Sequence, residues 1–92
     1  MEDIKYILRR LRKEYPIEAK VKYEFYMAHI AQPIQQLAMK QYPATLRSVE
    51  RYLDHISFKV KRGMKAGDLY NEIKRLSDNY LPEHKTKTDL PH

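Results

Sequence analysis

Arg47, Glu50 and Arg51 crowd into five residues, and their side chains suit the reading of bases. An arginine fork matches O6 and N7 of guanine, while a carboxylate accepts from the cytosine amino group or orients a neighbouring arginine. Lys59, Lys61 and Arg62 follow in the same stretch and are groups that hold phosphates. Such chemistry requires one exposed helix face. Val49, Leu53, Ile56 and Val60 recur at spacings of four, three and four, which predicts a helix with one stripe facing inward. With Val49 at the centre of that stripe, Arg47, Glu50, Arg51, Asp54, Lys61 and Arg62 project to the far side, as a helix entering a major groove presents its readers. Thr45 is the expected N-cap.

The element before it completes a helix-turn-helix layout. Pro33 suits a first helical position, where its missing N–H costs nothing, and Ile34, Leu37 and Ala38 then share a face. Pro43 stops that helix. Small Ala38 lies where the two helices must approach closely, and Val49 follows eleven residues later, one more than the ten of many such units. Two helices joined by a short turn are also ordinary content of a small helical bundle.

With 92 residues the chain is expected to form one domain with a modest core, and a deep enzymatic cleft is not expected. There is no cysteine, which excludes disulfides and thiolate metal sites and is compatible with a reducing compartment. No apolar run reaches the length of a membrane span, and Met1-Glu2-Asp3 is unlike a secretory signal, so a cytoplasmic protein is expected. A net charge of +6 raises affinity for polyanions. Its placement matters more than its size. Six basic and two acidic residues lie between Arg47 and Lys65, on and just beyond the candidate recognition helix, whereas Arg9, Arg10, Arg12 and Lys13 read as a solvated face of the first helix.

Asp3 is positioned to cap that first helix, whose apolar face is Ile4, Ile7, Leu8 and Leu11 and which Tyr15-Pro16 ends. From Ile17 to Ile30 two patterns compete. Ala19, Val21, Tyr23 and Phe25 alternate as in a strand, while Tyr23, Tyr26, Met27 and Ile30 repeat as in a helix; the length and the lack of a hairpin partner favour helix. Gly63 supplies the stop of the recognition helix, after Lys59, Lys61 and Arg62 at the negative end of its dipole. A last helix is expected from Gly67-Asp68, capped by Asp68, with Leu69, Ile73, Leu76 and Tyr80 as its stripe. The fold expected is all-α, about five helices over residues 1–82, with 83–92 as a disordered tail.

Nothing in the sequence carries catalysis. There is no glycine-rich phosphate loop, no cysteine nucleophile, and no serine with a histidine and carboxylate at triad-like spacing. His84 and His92 could take up adventitious metal without forming a site, and Asp54 and His55, being adjacent on a helix, diverge by about 100°. No enzyme, cofactor, metal or small-molecule substrate is expected. The eight tyrosines suit buried rings with surface hydroxyls. Phe58 is the exception, since the wheel puts it in the middle of the polar face.

The run Ser48-Val49-Glu50-Arg51-Tyr52-Leu53-Asp54-His55, closed by Lys61-Arg62-Gly63, resembles the recognition helix of the C-terminal effector domain of the sporulation-initiation response regulator of endospore-forming bacteria. That family carries Val-Glu-Arg, a later His and a closing Arg-Gly in the same order. Residues 16–30 are similar to an early helix of the domain and residues 69–85 to its last helix. The resemblance implies an all-helical fold in which Glu50 and Arg51 touch bases or phosphates of a promoter element, as adjacent copies on DNA, and it draws Ser48 and His55 into the contact surface. The combined expectation is a sequence-specific duplex-DNA-binding protein acting as a dimer or tandem copies. Its contact residues would be Thr45, Arg47, Ser48, Glu50, Arg51, His55, Lys59, Lys61 and Arg62. It would be a transcription regulator or a replication or mobile-element accessory factor. The rival is a small basic adaptor or inhibitor of an acidic protein.

Overall fold

The computed structural model describes residues 3–81, which fold as four helices around one core. The first, α1 (Ile4–Glu14), starts where the Asp3 carboxylate accepts from the Tyr6 amide at 3.0 Å, and it buries Ile4, Ile7, Leu8 and Leu11. The second, α2 (residues 23–41), is one continuous helix. The third, α3 (Leu46–Lys61), buries Val49, Leu53, Ile56, Ser57 and Val60. The last, α4 (Ala66–Tyr80), buries Ala66, Leu69, Ile73, Leu76 and Ser77. The all-α class therefore stands, with four helices rather than five.

Pro33 does not begin a helix as its sequence position suggested. It lies inside α2, directly after a π-helical stretch at Met27–Ala31, where the Gln32 amide donates to the Met27 carbonyl five residues back. A proline in a helix lacks the N–H and crowds the carbonyls behind it. The wider π turn relieves that crowding, so the helix passes through instead of starting there.

Ile17 to Lys22 is not helical. A turn, in which the Ala19 amide donates to the Pro16 carbonyl at 3.0 Å, leads into an isolated bridge between Lys20 and Lys65, and the segment pairs with the chain around the start of α4: the Val21 amide donates to the Met64 carbonyl at 3.0 Å, Ala66 donates to Ala19 at 2.8 Å, and Gly67 donates to Ile17 at 2.9 Å. The alternation of Ala19, Val21, Tyr23 and Phe25 does not make a strand: Tyr23 and Phe25 belong to α2, and 17–22 forms only an isolated bridge with a partner some 45 residues away. Glu18 and Lys65 add an ion pair at 2.9 Å that holds the Lys65 ammonium above its ordinary pKa. This pairing also corrects the cap of α4. Lys65, not Asp68, is the N-cap residue, and no side chain caps the helix; Ala19 and Ile17 carbonyls accept from its first amides, and Asp68 sits one turn in, where its charge favours the helix dipole.

Two glycines permit this junction. Gly63 ends α3 with φ +102°, a conformation costly for any side chain, and the Lys20 stem packs 3.2 Å from where a Cβ would be. At Gly67 a Cβ would come within 2.7 Å of the Ile17 side chain. Both α3 and α4 are thereby fixed to the segment 17–21.

Tyr26 is completely buried, and its hydroxyl donates to the Leu53 carbonyl at 2.6 Å. Burial, then the nearby Asp54 charge, pushes the phenol far above its ordinary pKa, so it remains a donor at every accessible pH. Tyr26→Phe should lower stability by about 1–2 kcal/mol with α-helical content retained. Urea titration followed by circular dichroism measures this, and an unchanged midpoint would show that the bond contributes nothing net.

Candidate nucleic-acid interface

α3 displays three flanks. Its inner flank is the apolar stripe. On the side toward α4, Tyr52 and Lys59 both converge on Glu72: the Tyr52 hydroxyl donates to the carboxylate at 2.8 Å, Lys59 Nζ lies at 3.1 Å and Arg75 at 3.5 Å. Burial pushes the Glu72 carboxyl up, but the Tyr52 and Lys59 hydrogen bonds and the Lys59 and Arg75 charges outweigh it and hold the group below its ordinary value. Burial and the same carboxylate raise the Tyr52 phenol. Lys59 therefore has an intramolecular partner, although its side chain stays 42% exposed.

Thr45 also has intramolecular partners. It occupies the N-cap position of α3, but its side chain accepts nothing from the helix. Its hydroxyl instead donates toward the Tyr42 carbonyl at 3.3 Å and the Tyr80 carbonyl at 3.1 Å, tying the start of α3 to the end of α4. A turn in 3-10 form, Pro43–Thr45, makes the junction between α2 and α3.

On the side toward α2, Arg47, Glu50, Arg51 and Asp54 border an open groove of about 1110 Å³. Its opposite wall is the π-helical part of α2, where Met27 is 40% exposed and Ala28 and Ala31 are too short to fill the space. Gln35 crosses the groove to donate to Glu50 at 2.8 Å. Glu50 is thus oriented by α2, a contact invisible in the spacing of α3 alone.

The outermost line of α3 is exposed and carries Arg47, Arg51, Phe58 and Arg62, flanked by His55, Ser48 and Lys61. Among the described residues none of the three arginines is in an ion pair. Lys61 Nζ stands 4.8 Å over the Tyr23 ring, which leaves its ammonium at the surface while fixing its stem. Of the nine residues singled out by sequence, seven share this accessible surface; Thr45 and Lys59 are occupied in holding helices together. Sequence reasoning missed Gln35 and Tyr23, which position Glu50 and Lys61 from another helix.

α1 is cationic too: Lys5, Arg9, Arg10, Arg12 and Lys13 are exposed or nearly so, and Arg12 stacks at 5.2 Å on the Tyr70 ring of α4. Among the described residues no group of three His, Asp or Glu side chains converges as a metal would require, and no helix is long and apolar enough to cross a membrane. The expected tail, 83–92, lies outside the described residues. Comparison of the chain with protein families, with curated proteins and with solved structures finds no match.

The Glu72 cluster makes a pH prediction. A carboxyl held low in the folded state contributes stability that is fully present above its ordinary value near 4.5 and is lost as pH falls through the lowered value. Glu72→Gln should cost about 1 kcal/mol at pH 7 and flatten the fall in melting temperature between about pH 5 and 3. Thermal melts of both proteins across that range check it; parallel curves would remove Glu72 as a source of acid sensitivity.

Proposed function

We propose that this protein binds duplex DNA through the outer face of α3, as a sequence-reading helix laid in the major groove. The observation that supports the reading is the line of exposed, unpaired guanidinium groups Arg47, Arg51 and Arg62 on one amphipathic helix, with nothing of the described chain packed over it. Arg47 and Arg51 are the base readers, Glu50 orients them or accepts from cytosine, Ser48 and His55 line the flank, and Lys61 and Arg62 hold phosphates. The likeness of residues 48–55 to the recognition helix of the sporulation effector family points the same way. One copy presents little surface, so specificity calls for a dimer or adjacent copies on the DNA. The reading is that of a cytoplasmic transcription regulator or a replication or mobile-element accessory factor.

A second reading, an adaptor for an acidic protein, draws support from the groove between α2 and α3, whose exposed Met27 and small floor residues resemble a seat for a partner helix. The two differ in their salt response. Neutralising about three phosphates should give a slope of log K against log salt near −3, whereas a flat response or no binding at low salt favours the adaptor.

Within the DNA reading the two ends of α3 have separate duties. Arg51→Ala should lower affinity for a selected site by about 1–3 kcal/mol while sparing a scrambled duplex; Lys61→Ala should weaken both alike and reduce the salt slope by about one. Site selection from a random pool followed by titration of each variant measures this. Equal losses on both duplexes for Arg51→Ala would mean that the helix does not read sequence.

A further inference from the structure

Phe58 takes no part in the core, in the helix junctions or in the arginine chemistry described above. It is 59% exposed in the last turn of a helix that is otherwise cleanly divided between apolar and polar flanks. Seven and eleven residues separate it from Arg51 and Arg47, two and three helical turns, so the three side chains share one line of the helix surface. Lys61 Nζ stands 6.0 Å from the ring centroid, and exposed Arg62 follows one turn on. A lone exposed phenyl ring needs no explanation. This one has Lys61 and Arg62 within a turn of it, and Arg51 and Arg47 two and three turns back beyond Asp54 and His55, a mostly cationic line that suits a polyanion with an apolar feature in reach.

The major groove offers one such feature, the C5-methyl group of thymine; the other base-edge groups there are hydrogen-bond donors and acceptors. We propose that Phe58 is a specificity-determining residue that packs on a thymine methyl in the major groove, an inference that rests on the duplex-DNA reading of α3. The helix fixes the register. Seven residues advance about 10 Å along α3, and because a helix in the major groove lies oblique to the duplex axis, two turns span about two base-pair steps. The thymine should therefore lie about two base pairs from the guanine that Arg51 contacts, on the side toward the phosphates held by Lys61 and Arg62.

Replacing thymine by deoxyuridine removes the methyl and leaves every hydrogen-bonding group in place. In a duplex selected from a random pool, each thymine is replaced in turn and the Kd of the wild-type chain and of Phe58→Ala is measured. The expected result is a loss of about threefold to fourfold for the wild type at one position, about two base pairs from the guanine whose replacement is silent in Arg51→Ala. Phe58→Ala should show no difference between thymine and uracil at that position. Because the ring is exposed, the variant should fold, with an unchanged melting temperature. Equal losses in both proteins, or no methyl effect at any position while the duplex still binds, would overturn the role of Phe58 and leave α3 as the DNA helix. A Phe58→Ala variant that discriminates thymine normally but changes from dimer to monomer in sedimentation would reassign the ring to self-contact. Absence of duplex binding at low salt would overturn both the reading and the inference.

Discussion

A phenol carried into the centre of a small core must find an acceptor, because leaving the hydroxyl unpartnered there would cost about 1–3 kcal/mol. Tyr26 finds the carbonyl of Leu53, at 2.6 Å, and that bond sets how α2 crosses α3. It fixes the depth at which the π-helical part of α2 faces the recognition candidate. From there the short side chains Ala28 and Ala31 leave a groove, and Gln35, about two and a half turns beyond Tyr26, reaches Glu50. The exposed arginines of α3 lie on the side of the helix away from this buried contact.

The second constraint is backbone pairing. Residues 17–21 bring three carbonyl and amide partners to the stretch 64–67, and so satisfy the start of α4 where no side chain does. Gly63 is required by its positive φ, and Gly67 by the Ile17 side chain, which a Cβ would meet at 2.7 Å. The chain ends of α3 and α4 are therefore anchored to a segment far upstream, and Thr45 closes the other end by bonding to Tyr80. Between these two ties α3 is held as a rigid bar, which suits a surface that must keep several side chains in register.

Charge is partitioned along the same bar. On the α4 side Glu72 gathers Lys59, Arg75 and the Tyr52 hydroxyl into one half-buried cluster. On the α2 side Glu50 is turned toward Gln35. What remains outward is cationic at Arg47, Arg51 and Arg62, with Phe58 among them. Guanidinium groups on a fixed helix act as directional donors as well as charges.

Helical periodicity was enough to read α1, the inward stripe of α3 and that of α4 from the order of residues alone, because Ile4, Ile7, Leu8 and Leu11, or Val49, Leu53, Ile56 and Val60, have only one way to leave water together on a helix. The polar face of α3, including the misplaced Phe58, followed from the same geometry. Three features did not. The break at residues 17–22 depended on a pairing partner distant in sequence, the passage of α2 through Pro33 depended on a π turn, and the start of α4 depended on carbonyls from another segment. Local propensity cannot encode such partners. The same limit applies to the site: spacing showed which side chains share a face, but only the tertiary structure decided that Lys59 belongs to Glu72, that Thr45 bonds Tyr80, and that Gln35 orients Glu50. Those assignments were settled by where neighbouring helices bring their acceptors and donors, and that placement follows from the packing of the whole core.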